Sequence, residues 1–447
     1  MKTLLIRAED KNRWERRTAL VPADLKQIRE KTNARAYVQV SDKRCFNPQA
    51  YMEAGAQICH NEGSGDVVFG VKEIPEEKVQ AGKVYLFFSH TIKGQKQGMP
   101  LLQTILTSGS TLIDYERLTD SEGRRIVYFG RYAGDAGAID ILSLMGEYWE
   151  ARGISTPLTA ISRAHQFASV ADAQRHLKTV GKTIAEQGFP AALTPFTIGI
   201  LGYGNVSQGA QQILDCLPTE RVATGEIEAL VRGGKADAKR LYLTVFKEED
   251  LVERADGDAF DLQEYFRQPE LYQSRFEPYL SHYRILINAV YWESRYPRFI
   301  TWDELQHLYE KEPDPLLCGI ADITCDTHGS VECNVRATDS DMPAYQVNPL
   351  TRKVSDGHTG DGIVVLAVDN LPCELPHDSS TFFSHQLAPL VPGILAAKYD
   401  RSLEKSGLTP EVRKAVIVYK GKLTPDYAYL QKHLDAHGAA AVSAQSY

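Results

Sequence analysis

Cysteine is scarce, with seven residues in a chain of 447. An odd count spread over this length excludes a disulfide framework as the basis of the fold. Cys318, Cys325 and Cys333, with His328 among them, stand too far apart for a paired zinc knuckle, so buried free thiols are expected. A basic excess is also missing. The 50 Lys and Arg against 58 Asp and Glu leave a formal charge of -8, which argues against a nucleic-acid partner. No apolar run approaches the ~20 residues that span a bilayer. The opening "MKTLLIRAEDKNRWERR" turns charged after a short apolar stretch, unlike a signal peptide, and a cytoplasmic location without membrane association is expected. There is no repeat of fixed period and no low-complexity segment. What remains, 43% hydrophobic and 24% charged, is ordinary globular composition. The length exceeds one core and predicts two domains or more.

The first third alternates short apolar runs with helical stretches. "KTLLIRAE", "ARAYVQVS", "GDVVFGVK", "KVYLFFSH" and "STLIDYE" read as strands. "VPADLKQIREKT" reads as a helix with Pro22 in its first turn, and "NPQAYMEAGAQI" as a second. Such alternation predicts an α/β layer with a parallel sheet. "FGRYAGDAGAIDILSLMGEYWEARG" reads as a long packed helix. A second α/β unit opens near Pro195. "YRILINAVYW" and "VVLAVDNLP" read as further strands, and "FFSHQLAPLVPGILAA" and "PDYAYLQKHLDA" as helices.

The second unit begins with a strand that runs into Gly202-Tyr203-Gly204-Asn205-Val206-Ser207-Gln208-Gly209 and then a helix. Gly202 permits a tight turn and Gly204 a close approach to a pyrophosphate, whose charge the helix N-terminus stabilises. A third glycine is lacking where the usual fingerprint has it. Ser207 stands there and Gly209 follows two residues later. The cofactor-discriminating residue is expected some 20 residues on, at the end of the next strand. That stretch offers both Glu220, suited to an NAD ribose, and Arg221, suited to the 2′-phosphate of NADP. These residues alone leave the two open.

In the first unit, ionisable residues collect at strand ends. Lys72 and Glu73 end one strand, His90 the next, and Glu116 the third; Arg17 lies in "WERRTALVP" and Arg131 in "GRYAG". Each has an ordinary explanation. Arg17 could form a weak surface pair with Glu15, and Glu116 could be a helix-start acid. Together, on the edge of a parallel sheet where ligands bind, a lysine and a histidine suit proton transfer and an arginine suits a carboxylate.

The stretches "RAEDKNRWERRTALVP", "GVKEIPEEKV", "YLFFSHTIKGQ", "LIDYE", "GRYAGDAGAID", "GYGNVSQGA" and "VDNLPCELP", in this order, resemble the saccharopine dehydrogenase family that is related to alanine dehydrogenase and transhydrogenase. The match is most specific to its lysine–ketoglutarate reductase branch, the domain found at the N-terminus of bifunctional aminoadipic semialdehyde synthases. It runs from residue 3 to about residue 430. The resemblance implies two Rossmann-like, doubly wound parallel-sheet domains with an active-site cleft between them. Residues 1–145 plus 372–447 would form the substrate domain and 146–371 the dinucleotide domain. It implies Lys72 and His90 as catalytic residues, and Arg17, Glu73, Glu116 and Arg131 around the substrate. Glu73 and Glu116 would tune the catalytic pair. Gly202, Gly204, Asn205, Val206, Ser207, Arg221 and Asp369 would serve the cofactor. NADP(H) is favoured over NAD(H), from the resemblance together with Arg221. The implied reaction condenses L-lysine with 2-oxoglutarate to saccharopine, reversibly, without a metal. The alternatives are an alanine dehydrogenase-like enzyme, a related reductase acting on another amine, and a binding protein that retains the fold.

Overall fold

In the computed structural model, which describes residues 2–312 and 314–444, the chain divides into two compact units. One is Met1–Phe129 with Pro376–Tyr447 and the other is Gly130–Leu375. The outermost residues of the first unit, Met1 and 445–447, lie outside the described residues.

The first unit is built on an eight-stranded sheet. Its parallel strands are β1 (Leu4–Ile6), β2 (Ala36–Gln39), β3 (Gln57–Cys59), β4 (Val67–Lys72), β5 (Val84–Phe88) and β6 (Thr111–Asp114). They lie in the order β6-β5-β4-β1-β2-β3. The order reverses between β1 and β4, so the C-terminal ends of these two strands flank the position where open α/β sheets bind ligands. Burial on both faces explains why the strands read as continuous apolar runs; Val84, Tyr85, Leu86 and Phe87 are all buried. The helix Pro22–Thr32 forms as the sequence predicts. Proline fixes its first turn, Leu25 and Ile28 face the core, and Asn33 closes it in a left-handed conformation. The C-terminal part of the chain adds more than helices to this unit. The antiparallel hairpin of Val416–Tyr419 and Lys422–Leu423 extends the sheet beside β6, and the sequence reading missed it.

The second unit carries another eight-stranded sheet. It includes β7 (Phe196–Leu201), β8 (Thr219–Arg221) and β9 (Leu241–Phe246). From one edge the order is β8, β9, β7, Ile285–Asn288, Gly319–Asp322 and Ile363–Leu366, all parallel, followed by antiparallel Ala344–Val347 and Val354–Asp356. The long helix Gly130–Glu150 is buried on nearly every side, as expected of a helix that is apolar all round. It packs on the Asn205–Leu214 helix of this unit, and backbone touches backbone. A Cβ on Gly134 would lie 1.8 Å from the Val206 carbonyl oxygen, and one on Gly209 would lie 2.0 Å from that of Arg131. This packing places the break at Phe129/Gly130, where the sequence reading set it at 145/146. The return crossing falls at Leu375/Pro376, not at 371/372. Among the described residues, no helix is long and apolar enough to cross a membrane.

Candidate active site

The strand β5 acts as a rigid post for His90. One residue past its end the chain is tied to the neighbouring strand. Ser89 donates its N–H to the Asp114 carboxylate at 3.2 Å, its hydroxyl contacts the same oxygen, and it also meets the Thr91 hydroxyl at 2.7 Å. Asp114 ends β6 in register with Phe87. Complete burial pushes its carboxyl up to about 6, against the pull of its hydrogen bonds to Ser89 and Glu116. With Ser89 fixed, His90 adopts φ +51°, a conformation uncommon for a non-glycine residue. Gly98 lies so close beneath it that a Cβ there would sit 2.7 Å from the His90 carbonyl oxygen.

The His90 ring points its Nδ1 at Glu73 Oε2, 3.1 Å away. Glu73 also binds Lys11 Nζ at 3.3 Å. Burial alone would raise the Glu73 carboxyl, but the His90 hydrogen bond and the charges of Lys11 and His90 hold it at about 2. An ionised carboxylate can only accept. Nδ1 therefore carries the hydrogen, and in the neutral ring Nε2 is the basic nitrogen.

Lys72 ends β4 and pairs in register with Phe88, so His90 lies two residues further along the adjacent strand. The backbone of Lys72 is held by Glu9, which accepts N–H bonds from Val71 at 2.8 Å and Lys72 at 3.0 Å. Glu9 is buried, and desolvation raises its pKa despite the opposing charge of Arg7. Arg7, fully buried itself, pairs with both Glu9 and Asp10.

Arg17 differs from a weak surface pair. It grips Glu15 with two bonds, Nε at 2.8 Å and Nη2 at 2.5 Å. Both residues are buried, and the guanidinium lies 4.2 Å from the centre of the Phe129 ring. Glu116 stands in the turn after β6 rather than on the strand, and it pairs with Arg125 at 2.6 Å. Arg131 belongs to the second unit, where it opens the Gly130–Glu150 helix and pairs with Gln212.

In the second unit, Gly202 has φ +93° and a Cβ on it would press on the Ala289 carbonyl at 3.1 Å. Gly204 is the N-cap of the Asn205–Leu214 helix, and a Cβ there would meet nothing within 4 Å. A tight left-handed turn with open space over a helix N-terminus fits the diphosphate of a dinucleotide. Asn205 and Val206 form the first turn of that helix, and buried Ser207 accepts a bond from Gln211 at 2.9 Å. Gly209 does the work of the absent third glycine, allowing a close contact between elements, here between two helices. Asp369 is exposed just past the Ile363–Leu366 strand, with its N–H on the Thr338 carbonyl. Arg221, at the end of β8, is engaged by the helix that follows the glycine turn and the residue after it. It binds Gln211 at 2.7 Å and both oxygens of Asp215 at 2.9 and 3.1 Å.

Sequence reasoning passed over Glu9, Lys11, Asp114 and Gly98. Glu9 and Lys11 lie in the same charged opening stretch as Glu15, but their partners are about 60 residues away in the chain. Asp114 carried one usable signal, an acid that closes an apolar strand run. Among the described residues, no group of three or more His, Cys, Asp or Glu side chains is arranged to hold a metal ion.

Two parallel-dominated sheets, each with its order reversed, a glycine turn at a helix N-terminus on one and a paired imidazole at the edge of the other have the architecture of an α/β dehydrogenase type. The alanine dehydrogenase/PNT N-terminal domain family matches residues 5–136, and the alanine dehydrogenase/PNT C-terminal domain family matches residues 273–426. The chain belongs to the alanine dehydrogenase/PNT family, a family of pyridine-nucleotide-dependent oxidoreductases. It is 36% identical over 445 residues to the mitochondrial alpha-aminoadipic semialdehyde synthase of Bos taurus, a match covering 96% of this chain and 47% of that protein. It is 28% identical over 395 residues to the saccharopine dehydrogenase [NAD(+), L-lysine-forming] of Neurospora crassa, covering 86% and 89%. The chain thus spans about half the length of the synthases it matches and most of the dehydrogenase. A solved L-alanine dehydrogenase superposes with a TM-score of 0.60 at 16% identity, covering 97% of this chain and all of that one; this likeness shows the fold.

Proposed function

We propose that the chain is an oxidoreductase that joins L-lysine and 2-oxoglutarate to form saccharopine, and cleaves it in the reverse direction. The observation that carries this reading is the His90–Glu73 pair beside Lys72 at the sheet edge, in a chain alignable almost end to end with a saccharopine-handling relative. The first unit supplies substrate chemistry and the second, from the glycine turn, holds the nicotinamide cofactor. The ε-amine of lysine adds to the ketone, the carbinolamine loses water to an imine, and reduction gives the secondary amine. The bound cofactor supplies the hydride for that reduction.

The remaining steps are proton transfers, and the chain's own residues are suited to them. With Nδ1–H fixed on Glu73, His90 Nε2 takes a proton from the substrate's ε-ammonium, freeing the amine that attacks, and returns one to the departing hydroxyl. Lys72, anchored by its backbone to Glu9, is the second proton-transfer group at that edge. Arg17 holds a substrate carboxylate, and its buried pair with Glu15 fixes the direction of the fork. The cytoplasm is the proposed location. The sequence offers Arg221 for NADP(H), and its guanidinium is engaged by Gln211 and Asp215.

The test is spectrophotometric, with purified protein, NADH or NADPH, 2-oxoglutarate and L-lysine, and with pyruvate and ammonia as the contrasting pair. Oxidation that requires both lysine and 2-oxoglutarate is the expected result. Oxidation only with pyruvate and ammonia would replace this reading with an alanine dehydrogenase activity.

A further inference from the structure

The strand that adjoins the glycine turn is not the one that follows its helix. In chain order β8 comes next, but β9 is the strand bonded to β7, and β8 lies beyond it at the sheet edge. β7 and β9 stay in register to their last residues, Leu201 opposite Phe246. The Gly202 N–H then donates to the Phe246 carbonyl at 3.0 Å. The segment leaving β9, Lys247-Glu248-Glu249-Asp250, therefore starts beside the turn. Burial, and after it the charge of Glu248, raises the Tyr203 hydroxyl, which places that carboxylate next to the residue between the two turn glycines.

Arg221 is placed elsewhere. It stands opposite Leu243, three residues short of the end of β9. At ~3.3 Å per residue and ~4.8 Å per strand, it is about 10 Å back from the edge and one strand further out. Its guanidinium is engaged by Asp215 and Gln211.

This inference rests on the dinucleotide reading of the second unit. The ribose of a dinucleotide bound at such a turn is read at the end of the strand adjoining the first one. We infer that Glu248, and not Arg221, meets the 2′ position of the adenosine ribose and makes this chain prefer NAD(H) to NADP(H). A carboxylate there accepts a ribose hydroxyl as a charge-assisted hydrogen bond and repels a phosphate at the same place. The segment sets one cation against three carboxylates, and the cation, Lys247, has Glu249 within 3.9 Å.

The test is binding of NADH and NADPH to the full chain without substrates, followed by calorimetry. Glu248→Gln, Arg221→Ala and Lys247→Ala are compared with wild type. NADH is expected to bind ~10-fold or more tighter than NADPH, the scale of one hydrogen bond to a charged group. Glu248→Gln, nearly isosteric and partly exposed, should narrow that ratio to about 3-fold or less. Arg221→Ala and Lys247→Ala should leave both dissociation constants within about 2-fold. Tighter NADPH binding by wild type, an unchanged ratio in Glu248→Gln, or a loss of NADPH affinity in either cation variant would overturn the inference. Binding of neither dinucleotide would overturn the dinucleotide reading itself, and this inference with it.

Discussion

At the residue scale, the site depends on carboxylates that hold other groups in place. Glu73 fixes the tautomer of His90, Glu9 fixes the backbone of Lys72, and Asp114 fixes the strand end from which His90 projects. His90→Ala and Lys72→Ala should each lower kcat by on the order of 10²-fold or more, the usual loss for an acid–base group. Steady-state rates with lysine and 2-oxoglutarate check this, and wild-type turnover in both variants would remove the pair from the mechanism. Asp114 also makes a prediction about stability. Its carboxyl titrates near 4 in an unfolded chain and at about 6 in the fold. Between those values the native state retains a proton that the unfolded state has released, so this group's contribution falls as pH rises from about 4 to about 6. Glu73 has the opposite sign. Held at about 2, it stabilises above its ordinary range and loses that contribution as pH falls toward 2. Urea unfolding of wild type and Asp114→Asn across pH 4–6 should show wild type losing stability relative to the variant. Parallel profiles would mean that Asp114 does not titrate in that window.

At the scale of elements, the decisive contact is helix on helix. Gly134 and Gly209 let the Gly130–Glu150 and Asn205–Leu214 helices meet through their backbones, the second of these being the helix that opens at the glycine turn. A methyl at Gly209 would lie 2.0 Å from a backbone oxygen that cannot swing aside as a side chain would. Gly209→Ala should therefore cost about 1–3 kcal/mol, the usual penalty for overpacking. It should also weaken dinucleotide binding, since the helix N-terminus must shift. Denaturant melts and a dinucleotide titration read the two effects. An unchanged midpoint would show that the helices separate without cost.

At the scale of the whole molecule, each unit has its own sheet and its own core. The second is continuous in sequence, from Gly130 to Leu375, whereas the first is closed by a hairpin that returns from beyond residue 415. Residues 130–375 expressed alone should fold cooperatively and bind NADH within about tenfold of the full chain, within the range of domain autonomy. Residues 1–129 alone should not fold, because β6 would lose its antiparallel neighbour and the core would lose Phe383, Leu387 and Ile417. Circular dichroism melts of both pieces check this, and a cooperative melt of 1–129 would show that the returning segment is dispensable.

The sequence by itself determined whatever depends on local pattern. Apolar runs buried on both faces marked β4 and β5, Pro22 marked a helix start, and Gly202 and Gly204 marked a turn between a strand and a helix. The positions of Lys72 and His90 at strand ends followed from the same runs. Partnership, however, is decided by which distant segments the sheet brings together. Glu9 and Lys72 meet because β1 and β4 are neighbours across the reversal of strand order. Glu116 turns to Arg125 because a short turn follows its strand. Arg221 lies away from the glycine turn because β9, which comes later in the chain, inserts between β8 and β7. Strand order is set by long-range packing of whole apolar faces, and no spacing rule along the chain encodes it.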